Sequence, residues 1–297
     1  MPREPYFISS GFKATICAPG NNPYPAPRQG IFRAMCRHAA YLGPSLSLER
    51  FLLRPDHGLV EQAYRPREML TAELNADGFG FGWYHPETGP GTYTNPMPIW
   101  SDVNLAHLGP AMSSNLWIAN VRSATRGQPT NQANTHPFRA GGLLFSHNGF
   151  VRDFAETLRP TLRAFVRPEF DSEIRGNTDS EHLFAALRHV LAQDVRAQDD
   201  SGIETALRHL FDRLAQWLDA VPALLNFLVA DGQRIIATRH AIDHESPSLY
   251  YGRDVAAFGE GWLIASEPLT EGGDWEPVPD HHVVTLGADG PPRLSAL

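Results

Sequence analysis

The sequence predicts an α+β fold, in which layers of antiparallel strands surround a separate block of helices. Strand-like segments dominate the first half of the chain, two consecutive helical segments follow, and strand-like segments then return. The helical block opens with Thr178-Asp179-Ser180-Glu181, which has the form of a capping box, and helical apolar spacing continues through Leu191. This order is typical of layered α+β proteins rather than of alternating βαβ units.

The individual elements follow from apolar runs and the residues that interrupt them. Cys36–Leu42 predicts the first strand, Gly43-Pro44 a turn, and Leu46–Leu53 a short helix. In Gly78–Tyr84, glycine alternates with large aromatic residues, which predicts a strand whose glycine side is closely covered. Further strands are predicted over Asn115–Arg122, Leu143–His147, Leu224–Ala230, Arg234–Thr238, Ser248–Tyr251, Trp262–Ala265 and His282–Leu286, and a second helix over Ile203–Leu218.

Composition excludes several classes of function. The net charge is −8 and no Lys/Arg-rich run is present, so nucleic acid is not an expected partner. The longest apolar run, Ala223–Ala230, is too short to cross a membrane. Two cysteines cannot build a disulfide scaffold or a cysteine-based zinc site, and the 13 histidines lack convincing ligand spacing. We therefore expect no metal and no cofactor, and composition leaves open whether the chain forms a homo-oligomer.

Residues 1–35 differ from the rest of the chain. Six prolines interrupt the first 34 residues and no strand or helix period survives, which predicts a disordered extension. A basic start followed by an apolar stretch is missing, so the segment is not a signal peptide and a cytoplasmic location is expected. The extension is either a miscalled start, with Met35 as the true first residue, or a propeptide. We favour the miscalled start, and expect one domain over residues 36–297.

Cys36 follows Met35, so a chain that begins after this methionine would carry a thiol and a free α-amino group on one residue. The thiolate is the nucleophilic form of cysteine and needs a base nearby. A free α-amine titrates at about 7.7–8.0 and can take the thiol proton near neutral pH. Cys36 is therefore a candidate catalytic nucleophile.

A thiol that attacks a carbonyl also needs hydrogen-bond donors for the developing oxyanion. Asn148 and Gly149 follow a predicted strand that ends at His147, and the Asn148 amide and Gly149 backbone N–H could point at one oxygen. The alternative is an ordinary Asn-Gly turn.

Two charged residues are candidates for binding an amino-acid head group. Arg122 ends an apolar strand, where a guanidinium can hold a carboxylate through two parallel hydrogen bonds, although a strand-end salt bridge is the alternative. Asp179 lies in the first turn of a helix and could pair with a substrate ammonium, or could only stabilise the helix end. His136 lies in a predicted loop that shapes the same pocket; a papain-like pairing with Cys36 is not supported by the sequence around the cysteine.

Taken together, the motifs resemble those of the class II, N-terminal nucleophile, glutamine amidotransferases. They occur in the order Met35-Cys36-Arg37-His38, Asn75-Ala76-Asp77-Gly78-Phe79-Gly80, Val121-Arg122-Ser123-Ala124-Thr125, Asn134-Thr135-His136-Pro137-Phe138, Ser146-His147-Asn148-Gly149 and Thr178-Asp179-Ser180-Glu181. The resemblance implies a four-layer αββα sandwich over residues 36–297 and Cys36 as an N-terminal nucleophile. It also implies an oxyanion hole from Asn148 and Gly149, and substrate binding by Arg122, Asp179, Thr125 and His136.

Within that class, the chain is most similar to the amidohydrolases of the ergothioneine pathway. The similarity includes Ala265-Ser266-Glu267-Pro268-Leu269 near the C-terminus. It implies hydrolysis of the γ-glutamyl amide of γ-glutamyl-hercynylcysteine S-oxide. Three alternatives stay open: a glutathione-type γ-glutamyl hydrolase, a glutaminase subunit that supplies ammonia to a partner synthase, and a non-catalytic module that binds γ-glutamyl ligands.

Overall fold

The computed structural model describes residues 35–68, 74–124, 128–193, 202–287 and 290–297. The predicted N-terminal extension, apart from Met35, and the predicted substrate-binding residue Thr125 lie outside these residues. The described strands are β1 (Arg37–Ser47), β2 (Phe79–His85), β3 (Gly89–Asn95), β4 (Ser113–Val121), β5 (Phe138–Ala140), β6 (Leu143–Val151), β7 (Ala223–Ala230), β8 (Arg234–Arg239), β9 (Ala241–Ile242), β10 (Tyr250–Arg253), β11 (Trp262–Ala265), β12 (Asp274–Pro277), β13 (His282–Gly287) and β14 (Arg293–Ala296).

Within the described residues, two long helices and several short ones accompany the strands. The α-helices are α1 (Leu59–Gln62), α2 (Leu105–Ala111), α3 (Phe154–Thr157), α4 (Arg159–Phe165), α5 (Pro168–Asp171), α6 (Asp179–Gln193), α7 (Gly202–Leu218) and α8 (Val255–Phe258), with a π-helical turn over Glu49–Leu53 and 3₁₀ turns over Ile99–Ser101 and Gln132–Asn134. No helix in the described part of the chain is long and apolar enough to cross a membrane.

The strands form two antiparallel sheets that pack face to face. The first sheet has the order β12-β10-β11-β1-β4-β2-β3, and the second has the order β14-β13-β8-β7-β6-β5. Helices α6 and α7 pack on the outer face of the second sheet through Phe145 and Phe227, together with α3 and α4, while α1, α2, α8 and the π-helical turn cover the outer face of the first sheet around Trp117. The result is the four-layer αββα sandwich expected for an N-terminal nucleophile hydrolase, and the α+β prediction is confirmed.

One end of the space between the sheets is apolar and the other end is polar. Successive residues of a strand face opposite sides, so even-numbered residues of β1, β4 and β6 share the inter-sheet face. Leu42, Ile118 and Leu144 fill this face at one end. Towards the other end the same faces carry His38, Asn120, Arg122, Ser146 and Asn148, all buried. The alternation therefore brings the predicted site residues of different strands to one end of the sandwich.

Two local predictions are corrected. Gly43-Pro44 does not end the first strand: β1 shifts register between Leu42 and Leu46 and then pairs with β4 again. Proline lacks an N–H and is tolerated where ladder pairing is interrupted, so a bulge replaces the turn. Asn148 and Gly149 do not follow the end of a strand either, because β6 continues through Val151 and they pair with Asn226 and Leu225 of β7.

The capping box at the start of α6 forms with one difference. The Thr178 hydroxyl oxygen accepts a hydrogen bond from the Glu181 N–H at 3.2 Å, as predicted. The Glu181 carboxylate instead reaches further back and accepts the N–H groups of Arg175 and Gly176, at 2.9 Å and 2.7 Å. These bonds fix the loop that leads into Asp179.

Candidate active site

The candidate nucleophile is a buried, protonated thiol at the start of β1. Cys36 is 6% exposed, and its Sγ lies 3.9 Å from the carbonyl oxygen of Ser123 as a hydrogen-bond donor. Burial raises the pKa of the thiol, and the nearby charge of Arg122 and the Ser123 hydrogen bond oppose that rise. A thiol in this state needs a base to become a nucleophile. In the full chain the Cys36 nitrogen is bonded to Met35, which is itself fully buried.

Asn148 lies on the second sheet, and only the nitrogen of its side-chain amide is hydrogen-bonded to a described residue. Its Nδ2 donates a hydrogen bond to the Ser266 hydroxyl oxygen at 3.3 Å, which crosses from the second sheet to the first. Its Oδ1 is buried and has no hydrogen-bond partner among the described residues. A side-chain amide has two N–H donors, so the second stays available for an oxyanion.

The Gly149 N–H points away from the neighbouring strand β7. Gly149 pairs with Leu225, whose own N–H donates to His240 on the other side of β7, so this pair does not exchange hydrogen bonds. Alternate N–H groups of a strand point the same way, and that of Val151 donates to the Asp179 carboxylate. The Gly149 N–H therefore leaves β6 on the side where Asp179 lies.

No larger residue fits at Gly149. A Cβ there would lie 1.9 Å from the Leu224 carbonyl oxygen and 2.6 Å from His147 Nε2, and the backbone φ is +159°. The close approach of two backbones is the reason for glycine at this position.

Arg122 is buried beside the thiol and holds two neutral acceptors. Its Nη1 donates to the Asp77 carbonyl oxygen at 3.3 Å and its Nη2 to the Gln128 side chain at 3.2 Å. Burial lowers its pKa, while the negative charges of a Cys36 thiolate, Asp77 and Asp179 oppose that effect. No salt bridge to Arg122 is found within the described ranges. Its guanidinium is therefore not part of a strand-end ion pair and can bind a carboxylate.

Asp179 joins the end of β6 to the start of α6. Its Oδ2 accepts the Val151 N–H at 2.8 Å, and its Oδ1 accepts the Ser180 N–H at 2.8 Å. His147 supports this helix start: its Nε2 donates to the Leu224 carbonyl at 2.8 Å, and its Nδ1 lies 3.0 Å from the Ser180 hydroxyl. Burial lowers the pKa of His147, and the charge of Asp179 opposes that effect. Asp179 thus has the helix-end role, and its charge also acts on Cys36 and Arg122.

His136 is buried in the same polar region and does not bond to the thiol. Both ring nitrogens lack hydrogen-bond partners within the described residues, and the ring packs edge-on to Phe138 at 4.7 Å. Burial lowers its pKa well below 6.5, and the charges of His147 and Arg122 lower it further. A neutral histidine with two open nitrogens fits a pocket wall better than a base for Cys36.

Several residues of the site were missed in the sequence. Asp77 stands in the sequence analysis only within the Asn75–Gly80 motif, yet its N–H donates to the Arg122 carbonyl oxygen at 2.9 Å and its carboxylate accepts the Ala124 N–H at 2.8 Å. Ser266 was noted only within a motif shared with relatives. The motifs that contain Asp77 and Ser266 can be recognised in the sequence. Their hydrogen bonds to Arg122 and Asn148, however, join residues 45 or more positions apart, and a local sequence pattern does not predict such pairings.

Two other features bear on the chemistry. Among the described residues, no group of three or more His, Cys, Asp or Glu side chains is arranged to hold a metal ion. A surface cavity of about 770 Å³ is lined by residues such as Phe138, Phe170 and Arg188, and its lining does not include Cys36, Arg122, Asn148 or Asp179. We therefore place the site at the thiol, where the predicted residues converge.

Comparisons with known proteins agree with this fold and identify the family. The family model of the class-II glutamine amidotransferases matches residues 59–292. The chain belongs to this family and is an amidohydrolase.

Two relatives and one solved structure are similar to most of this chain. The chain is 31% identical over 256 residues to the γ-glutamyl-hercynylcysteine sulfoxide hydrolase of Mycobacterium tuberculosis, a match that covers 86% of this chain and 94% of the relative. It is also 31% identical to the probable glutamine amidotransferase DUG3 of Saccharomyces cerevisiae, over 85% of this chain and 82% of the relative. Among solved structures, a glutamine aminotransferase class-II domain protein from Silicibacter pomeroyi has a TM-score of 0.63 at 29% identity, covering 88% of this chain and 99% of that one.

Proposed function

We propose that this chain hydrolyses the γ-glutamyl amide bond of γ-glutamyl-hercynylcysteine S-oxide, releasing glutamate and hercynylcysteine S-oxide in ergothioneine biosynthesis. The observation that carries the proposal is the convergence of the Cys36 thiol, the open Asn148 amide, Arg122 and Asp179 at one end of the sandwich. The mycobacterial hydrolase supports the substrate, because the chain matches 94% of its length.

The proposed working form begins at Cys36, so that its α-amino group is free. That amine takes the proton of the buried thiol, and the thiolate attacks the γ-carbonyl carbon of the substrate. Arg122 binds the α-carboxylate of the glutamyl group and Asp179 binds its α-ammonium. The head group is thereby oriented with its γ-carbonyl over Sγ.

The negative charge of the tetrahedral intermediate develops on the carbonyl oxygen. The Asn148 amide and the Gly149 N–H donate to this oxygen, each contributing about 2.7–4 kcal/mol to the barrier reduction. The α-ammonium of Cys36 then gives its proton to the leaving nitrogen as the C–N bond breaks. Water attacks the remaining γ-glutamyl thioester and the α-amine accepts its proton, which releases glutamate and restores the thiol.

The first test compares glutamate release by the wild type with that of Cys36→Ala. We expect loss of release at least 1,000-fold (about 4 kcal/mol), with an unchanged circular-dichroism spectrum. Cys17→Ala, made in the full chain, removes the cysteine of the segment that the proposed working form lacks, and wild-type turnover is expected. Wild-type turnover by the Cys36→Ala variant would refute the mechanism. Intact-mass analysis of the protein from its native host reports where the active chain begins.

The second test distinguishes the proposed substrate from the alternatives. Values of kcat/KM are measured with γ-glutamyl-hercynylcysteine S-oxide, glutathione and L-glutamine. We expect the first to exceed the others by at least tenfold, or about 1.4 kcal/mol. The DUG3 relative supports a different γ-glutamyl amide as the second candidate, and preference for glutathione would favour it. Preference for glutamine would indicate a glutaminase subunit, and binding without turnover would indicate a non-catalytic module.

A further inference from the structure

The residues that follow β11 contact both sheets beside the thiol. β11 pairs with β1 as far as Ala265, which lies opposite Ala39. Ser266 and Glu267 come next, and both are fully buried or nearly so, at 0% and 1% exposure. The proposed chemistry uses neither residue.

Ser266 continues the pairing with β1 through its side chain. Its N–H donates to the His38 carbonyl oxygen at 2.9 Å, and its hydroxyl oxygen accepts the His38 N–H at 3.0 Å. The same hydroxyl oxygen accepts the Asn148 Nδ2 at 3.3 Å. A hydroxyl has two lone pairs, so one atom holds both the strand that carries the nucleophile and the amide on the opposite sheet.

Glu267 fixes the position of this hydroxyl. Its Oε1 accepts from Arg37 Nε and the Glu68 N–H, both at 3.0 Å, and its Oε2 pairs with His57 Nε2 at 2.7 Å and accepts the Arg67 N–H at 2.8 Å. Arg37 in turn donates to the Cys36 carbonyl oxygen at 3.2 Å. With four partners on one buried carboxylate, the main chain at Ser266 has little freedom to drift.

We infer that Ser266 is a positioning residue, which orients the second N–H of Asn148 towards the carbonyl oxygen of the substrate and sets its distance from Cys36. This inference rests on the proposed function. It differs from a purely structural role because the two hydrogen bonds of the hydroxyl join the proposed oxyanion donor Asn148 to His38, on the strand that follows Cys36. Without the hydroxyl, the amide can rotate about its side-chain bonds, and the oxyanion loses a pre-oriented donor.

The test is a double-mutant cycle on turnover of the γ-glutamyl amide with the highest wild-type kcat/KM. Ser266→Ala should lower kcat about tenfold, with KM changed less than about threefold, because the glutamyl head group is bound elsewhere. In an Asn148→Ala background, the same substitution should lower kcat less than about twofold, because Ser266 then has no amide to orient. Equal losses in the two backgrounds, or a change confined to KM, would overturn the inference.

Two further variants separate positioning from folding. Ser248 donates its hydroxyl proton to the Ser266 carbonyl oxygen at 2.8 Å, so Ser248→Ala removes a hydrogen bond of the same residue and should keep kcat within about twofold. Ser266→Cys keeps the size of the side chain but offers a weak acceptor, and should lower kcat as alanine does. Wild-type kcat in Ser266→Cys would overturn the inference even if Ser266→Ala failed to fold. No turnover by the wild type would refute the proposed function instead.

Discussion

The Glu267 carboxylate should make the stability of this protein depend on pH. Burial opposes its ionisation, but the hydrogen bond from His57, the charge of Arg37 and two backbone N–H donors outweigh burial and lower its pKa from 4.5 to about 2. A folded-state pKa below the unfolded value stabilises the fold above pH 4.5, and this contribution is lost as the pH falls towards 2. The variant to compare with the wild type is Glu267→Gln, because its side-chain amide resembles the protonated carboxyl group.

The expected stabilisation follows from the lowered pKa of Glu267. A difference of about 2.5 pKa units at 1.36 kcal/mol per unit gives about 3 kcal/mol at pH 7. The same linkage relation leaves about 1.4 kcal/mol at pH 3, so the wild type should lose about 2 kcal/mol of its advantage over Glu267→Gln between these pH values. Groups that titrate equally in both proteins cancel in this difference.

The assay is urea unfolding of both proteins at several pH values between 7 and 3, followed by tryptophan fluorescence. A nearby exposed pair provides the control: Glu271 lies 2.6 Å from Arg67, with side chains 73% and 57% exposed. Glu271→Gln should change the free energy of unfolding by less than about 1 kcal/mol at every pH. A difference between the wild type and Glu267→Gln that stays constant from pH 7 to pH 3 would contradict a lowered pKa of Glu267 in the folded protein.

Three other predictions concern the site and its walls. Arg122→Lys should raise KM for the γ-glutamyl substrate about 10- to 100-fold and change kcat less, since an ammonium cannot form two parallel hydrogen bonds with the α-carboxylate; steady-state kinetics test this, and an unchanged KM would contradict it. Gly80→Ala should cost about 1–3 kcal/mol in thermal or urea unfolding, because its Cβ would lie 2.3 Å from the His136 carbonyl oxygen. Gly272→Ala, whose Cβ would have its nearest contact at 3.5 Å, should stay within about 0.5 kcal/mol of the wild type. In the full chain, burial raises the pKa of Cys36, so iodoacetamide should label this thiol more slowly at pH 7 than a free cysteine peptide and faster as the pH rises; peptide mass spectrometry measures the rate, and labelling that is fast and independent of pH would contradict the prediction.

The fold was predictable where local pattern and tertiary packing agree. The start of α6 at Asp179 was visible because the Thr178 cap is a local interaction. The close cover on the glycine side of β2 was also predicted, and Gly82 has Leu144 of the second sheet against it. By contrast, β3 (Gly89–Asn95) is half-buried throughout and lacks apolar alternation, so nothing in its sequence marks it as a strand.

Individual residues of the candidate site could be proposed from the sequence, but their arrangement in space could not. Cys36, Asn148, Arg122 and Asp179 were identified by chemical type and by resemblance. Their convergence depends on contacts between residues far apart in the chain, as in the pairing of His38 with Asn120 and the bond from Asn148 to Ser266. The prediction that Asn148 follows the end of a strand was wrong because β7 supplies a pairing partner, Asn226, that local sequence does not reveal.

The proposed nucleophile and the proposed oxyanion donor belong to different sheets of the sandwich. The thickness of the apolar layer between the sheets should therefore affect the rate of the proposed reaction. Leu144 and Ile118 fill the gap between the sheets; Leu144 lies on the strand that carries Asn148, and Ile118 lies on β4, which ends just before Arg122. A cavity made by trimming either one would let the sheets settle closer together and change the reach between thiol and amide. Substitutions among these leucine and isoleucine side chains can therefore slow catalysis without touching substrate. Sequence changes in either sheet should therefore be tolerated only when the apolar layer between the two sheets keeps its thickness.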